Sequence, residues 1–173
     1  MNELDEIWSQ LLAEWGANAR AAGRHALADY IALKASNDQI RERGVRWLFD
    51  SFIELAAMAN RQNIPVTIER EDPHNFSHHG ANMVGSALRI RYGVRCLTLE
   101  AGWTRTPRDG FMRNQALAAA RLTHFGIKGE SAELSLRHTE ELPNWFVLTK
   151  NEKTIPLEAS ELIRHFSILI ERR

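Results

Sequence analysis

The chain has one cysteine in 173 residues, Cys96, so no disulfide can form within it. It opens MNELDEIW, without the basic and apolar regions of a secretory signal, and both features lead us to expect a reducing, cytoplasmic setting. The longest apolar run, residues 47–59, is interrupted by Asp50 and Glu54, which excludes a membrane span. Internal repeats, low-complexity tracts and Gly/Ser/Pro-rich linkers are also missing. No Gly-rich phosphate loop follows a strand, and neither G-x-S-x-G nor C-x-x-C occurs, so no motif names a reaction.

Net charge of either sign is missing too, with 22 basic against 22 acidic residues. The balance is local rather than uniform. Residues 61–128 carry 10 Lys/Arg against 5 Asp/Glu and four of the seven histidines, while the flanks are acidic. A basic centre points to an anionic partner, although 18 of the 22 basic residues are arginine, a bias that genome composition alone can produce. Overall neutrality makes nucleic acid a less favoured partner than a small anion.

What is present is organised around residues 84–103, VGSALRIRYGVRCLTLEAGW. Gly93-Val94 suits the tip of a type II′ hairpin, which pairs Tyr92 with Arg95, Ile90 with Leu97 and Leu88 with Leu99 on an apolar face. The other face sets Arg91 across from Cys96, Arg89 across from Thr98 and Ala87 across from Glu100. Before it, three helices are expected. One covers residues 3–15, capped by Asn2 and stopped by Gly16; one covers about 18–35; one begins at the Ser-x-x-Gln capping box 36–39, with a stripe of Trp47, Leu48, Phe52, Leu55 and Ala59. Residues 64–69 read as a strand and 72–80 as a polar loop. Residues 114–126 fit a helix by propensity and a strand by alternation. Residues 132–138 and 144–150 alternate as strands, Asn151-Glu152 turns the chain back toward 153–156, and 158–171 forms an amphipathic helix. The whole reads as one α+β domain over 1–173: a helical part over 1–62, an antiparallel sheet of five to six strands over 63–157, and a C-terminal helix over 158–173.

Three places could carry chemistry. The stretch Asp72–Gly80 offers His74, His78 and His79, imidazoles able to ligate a divalent metal, though H-x₃-H-H matches no established spacing. The turn Trp103–Gly110 offers Arg105 and Arg108 as planar forks for phosphate or carboxylate, with the Trp103 face for stacking. The polar hairpin face offers Arg89 and Arg91, with Glu100 placed diagonally from Arg89 as an ion-pair partner or a base. His124 is expected as a satisfied core histidine or a member of such a pocket, and Cys96 as a small hydrophobe.

These residues lead first to a non-catalytic cytosolic module that binds an anionic small molecule or a partner protein through Arg89, Arg91, Trp103, Arg105 and Arg108. The alternatives are a metal-dependent hydrolase built on His74, His78 and His79, with Glu100 or Asp109 as base, and a single-stranded nucleic-acid binder. A homodimer through an amphipathic helix needs no special motif.

Overall fold

The computed structural model describes residues 3–149 and 153–171, so the expected Asn2 cap and the Asn151-Glu152 turn lie outside the described residues. The chain divides into two compact units, residues 1–42 and 43–173.

In the first unit, α1 (Glu3–Ala21) runs straight through Gly16. Helices commonly stop at a residue in the left-handed region, and Gly23 supplies one here with φ 72°. The Gly23 and Arg24 amides donate to Arg20 and Ala19 carbonyls, the two bonds of a Schellman ending. α2 (His25–Arg61) starts here and continues into the second unit, so the expected break at residues 36–39 is absent and two helices stand where three were expected. Asp38 does not cap a helix. Its carboxylate pairs with Lys34 and Arg41, at 3.2 and 2.7 Å, one turn to either side. Trp8 and Trp15 meet edge to face with centroids 5.9 Å apart, and the Lys34 ammonium lies 5.7 Å from the Trp8 centroid.

In the second unit, α2 presents Val45, Leu48, Phe49, Phe52, Ala56 and Ala59 as its buried stripe. Trp47, expected in that stripe, is 47% exposed. The sheet contains β1 (Thr67–His78), β2 (Ala81–Tyr92), β3 (Arg95–Trp103), β4 (Ala118–His124), β5 (Ala132–Arg137), β6 (Asn144–Leu148) and β7 (Thr154–Pro156), paired antiparallel in sequential order. Seven strands exceed the expected five or six because residues 118–124 and 154–156 both join the ladder. The fold class is α+β, completed by α3 (Ala159–Ile170).

One face of the sheet carries the core, including Leu88, Ile90, Leu97, Leu99, Leu122 and Leu136. The Trp145 indole donates to the Gly44 carbonyl at 2.9 Å, fixing β6 to α2. Arg95 donates to the Ile168, Leu169 and Glu171 carbonyls, satisfying groups that the end of α3 leaves unpaired.

The opposite face positions the chemistry. Ala87, Glu100, Arg121, Glu133 and Leu148 form one cross-strand row on it. A β-bulge in β1 decides which β1 side chains join them. Glu71 pairs with Ala87, but the next pair on that face is His74 with Gly85, so β1 spends one residue more than β2. The extra residue moves His74, Phe76 and His78 onto the face of Glu100 and Glu133; in an unbulged strand they would point the other way.

Beyond Val84–Trp103, β2 has no pairing to β3, and the end of the β1–β2 hairpin folds over the sheet. Phe76, Ala81 and Met83 pack there against Ala119 of β4, with Met112 alongside. Gly85 and Gly102 face one another at the bend, where the backbones approach too closely for any side chain.

Candidate metal centre

The β1–β2 tip is His79-Gly80, both with positive φ, 50° and 80°, as a type I′ turn requires. Histidine is among the few non-glycine residues enriched in that region. The segment expected as a polar loop over 72–80 is therefore a bulged strand and a two-residue turn. On a regular strand His78 and His79 would point apart. The reversal of φ at His79 instead brings their rings together, with centroids 4.2 Å apart and planes at 64°.

Because the hairpin folds over the sheet, its tip reaches β5, and His79 Nε2 lies 2.7 Å from Glu133 Oε2. One potential donor atom from each of His78, His79 and Glu133 falls within 4.8 Å of the others, and this is the metal-capable group among the described residues. Ligands held about 2.0–2.2 Å from a tetrahedral ion sit roughly 3.3 Å apart, so modest side-chain rotations close this set around one ion. Burial pushes the His78 pKa down, as do His79, Arg121 and Arg113, with Glu133 opposing. The neutral imidazole is the form that binds metal. The cluster opens into a cavity of about 80 Å³ whose walls include Met83, Met112, Arg113 and Arg137.

His74 belongs to a different arrangement. Its Nε2 lies 2.9 Å from Glu100 Oε1 and its Nδ1 3.1 Å from Glu71 Oε1. Burial works to lower its pKa, but the hydrogen bonds to Glu100 and Glu71 outweigh this and leave it raised. Arg121 Nε donates to Glu100 Oε2 at 3.0 Å. Burial alone would raise the Glu100 carboxyl, and its bonds to His74 and Arg121 leave it lowered. Glu100 therefore pairs with Arg121 and His74, while Arg89 pairs with Glu71 at 3.0 Å and Arg91 with Glu69 at 3.5 Å.

The arginine and tryptophan positions do not gather into one place. Arg89 is five residues along β2 from Val84, the partner of Trp103, about 17 Å at strand spacing. Trp103 is buried, and the Arg105 guanidinium lies 4.1 Å from its ring centroid. Arg108 is exposed on a single 3-10 turn. The Asp109 carboxylate there accepts from the Thr106 amide and hydroxyl at 2.8 and 2.9 Å, and these bonds lower its pKa.

His124 is the satisfied core histidine. Its Nε2 lies 3.0 Å from Nδ1 of His165 on α3, a partner with no local sequence signal. Cys96 is buried, its sulfur 3.7 Å from Thr98 Oγ1. Among the described residues no helix is long and apolar enough to cross a membrane. No family model, curated protein or solved structure matches the chain.

Proposed function

We propose that this protein is a metal-dependent hydrolase whose ion is held by His78, His79 and Glu133. The observation that supports the reading is the convergence of two imidazoles and a carboxylate, from a hairpin tip and a separate strand, at the mouth of a cavity. Three protein ligands of these types leave a fourth position for water or substrate. A divalent ion so held supplies a Lewis acid and lowers the pKa of a bound water to about 7. The chain's own part is to fix the donors on a type I′ turn and a paired strand, and to surround them with Met83 and Met112. The bases expected from sequence do not line this cavity: Glu100 is engaged by His74 and Arg121, and Asp109 by Thr106. The lone cysteine fits a cytosolic location for such an enzyme.

Titration of metal-free protein with Zn²⁺ by calorimetry tests this. One ion per chain is expected, with affinity falling roughly a hundredfold or more in Glu133→Ala and His79→Ala. His74→Ala should leave Zn²⁺ affinity near that of the wild type, because its ring nitrogens face Glu71 and Glu100. Equal affinity in Glu133→Ala would remove the site.

A second reading, the binding of an anionic molecule or protein partner through the Trp103–Gly110 turn, draws on the exposure of Arg108. Arg105→Ala with Arg108→Ala is expected to abolish capture of such a ligand with folding intact; unchanged capture sinks this reading.

A further inference from the structure

We propose that the cavity beside His78, His79 and Glu133 takes a small oxyanion with an apolar body, its oxygens shared between the ion and the guanidinium groups of Arg137 and Arg113. This deepens the metal-dependent reading and rests on it.

Size comes first. The cavity, about 80 Å³, is far below the several hundred of a cofactor pocket. It suits a compact head such as a carboxylate, phosphate or phosphonate.

Charge comes second. The lining carries Arg113 and Arg137 against the single carboxylate Glu133. Once Glu133 is a ligand to a divalent ion, the cavity holds a surplus of positive charge with no second carboxylate to offset it. An anion restores the balance.

The third observation concerns where those charges are held. Arg137 is steadied by two contacts: its Nε donates to Ser135 Oγ at 3.0 Å, and its guanidinium lies 5.8 Å from the Phe146 centroid. Ser135 and Glu133 are alternate residues of β5, on the same face, so Arg137 continues the line of side chains that begins at the metal-capable carboxylate. Arg113 lines the same cavity, from the segment after the Trp103–Gly110 turn. Guanidinium forks match the paired oxygens of phosphate and carboxylate groups.

The fourth observation gives the rest of the ligand. Phe111 and Leu148 also border the cavity, and they are 85% and 39% exposed. A large aromatic side chain that open to solvent, beside a pocket carrying two guanidinium groups, is a surface for the apolar body of a ligand whose head is inside. The class is therefore an aryl or alkyl phosphate or carboxylate. Free inorganic phosphate shares the head-group chemistry and is separated from it by the probes below.

Calorimetry on Zn²⁺-loaded protein with phenylphosphonate, benzoate and inorganic phosphate tests the inference. Phenylphosphonate or benzoate should bind roughly tenfold more tightly than inorganic phosphate, and Phe111→Ala should erase that preference. Arg137→Gln and Arg113→Gln should each weaken binding of the preferred probe roughly tenfold while Zn²⁺ affinity stays at the wild-type level. Oxyanion binding unaffected by both arginine substitutions, or equal in chelator-treated protein, overturns the inference. Zn²⁺ binding with no oxyanion binding overturns it and leaves the metal site standing. Failure to bind Zn²⁺ removes both.

Discussion

Gly85→Ala is expected to destabilise the fold by about 3 kcal/mol or more and to abolish metal binding at a site it never touches. A methyl group on Gly85 would stand 1.9 Å from the Ala101 carbonyl oxygen and 2.5 Å from the Gly102 Cα. Both are backbone atoms, so relief requires β2 and β3 to separate at the bend instead of a side chain swinging aside. The strand end beyond that bend carries Ala81 and Met83, whose packing on Ala119 holds the hairpin over the sheet. Spreading the bend moves the tip, and His78 and His79 leave Glu133. Gly93→Ala provides the contrast. Gly93 has φ 58° and nothing within 4 Å of an added Cβ, so only the left-handed backbone is penalised, by about 1 kcal/mol, and Zn²⁺ affinity should not change. Urea midpoints and Zn²⁺ titrations of the two variants check this. A Gly85→Ala protein with wild-type midpoint and affinity would show that the close approach at the bend has no role in the site.

Stability is expected to fall as pH drops from about 6.5 toward 4, ahead of carboxylate protonation. His165 is fully buried, and burial, then Arg164 and His124, push its pKa down to about 4. Burial lowers His124 in the same direction. A depressed histidine adds nothing unfavourable above pH 6.5, where folded and unfolded forms are both neutral. Below it, the unfolded chain takes up the proton first, and stability is lost until the folded pKa is reached. The gap from 6.5 to about 4 corresponds to roughly 3 kcal/mol at His165. His74 works in the opposite sense: its raised pKa contributes stability below pH 6.5 that is lost as pH rises through the folded value. Glu71, Glu100 and Glu161, all lowered, contribute stability above about 4.5 that is lost below it. The window between 6.5 and 4.5 therefore reports the histidines. His165→Asn should flatten the slope of urea midpoint against pH there, whatever its absolute stability; an unchanged slope would exclude the buried pair as the source.

The central hairpin was fully legible. Gly93 carries positive φ while Val94 does not, as a type II′ turn requires, and the expected pairs from Tyr92–Arg95 to Ala87–Glu100 are those observed. Alternating strands and a turn-suited glycine are local signals. Residues 114–126 were ambiguous because alanine suits a helix intrinsically, and only pairing between β3 and β5 makes 118–124 a strand. The helix breaks expected at Gly16 and at 36–39 do not occur, because a glycine or a capping sequence permits a stop without compelling one, and both stretches stay helical.

The site was half legible. Three histidines close in sequence drew attention to this stretch, but a single bulge residue decides which face each occupies, and φ at His79 decides whether adjacent rings diverge. Glu133 is 54 residues from His79, and nothing local to the strand 132–137 announces that a hairpin tip comes down upon it. The same holds for His124 and His165, 41 residues apart, which look ordinary until α3 packs.

A sheet whose strands follow one another in chain order has two rims, and both are unsuited to accepting a further strand. The outer part of β1 is exposed and carries Glu69, Arg70, Glu71 and Asp72 followed by Pro73. At the other rim β7 is three residues long and ends in Pro156. Charges, a bulge and proline interrupt the row of free amides and carbonyls that would template polymerisation, and shortness limits what remains. The meander thus tends to end itself at both sides, and on one of them the strand that resists further pairing is the same bulged strand that places His78 on the face of Glu133.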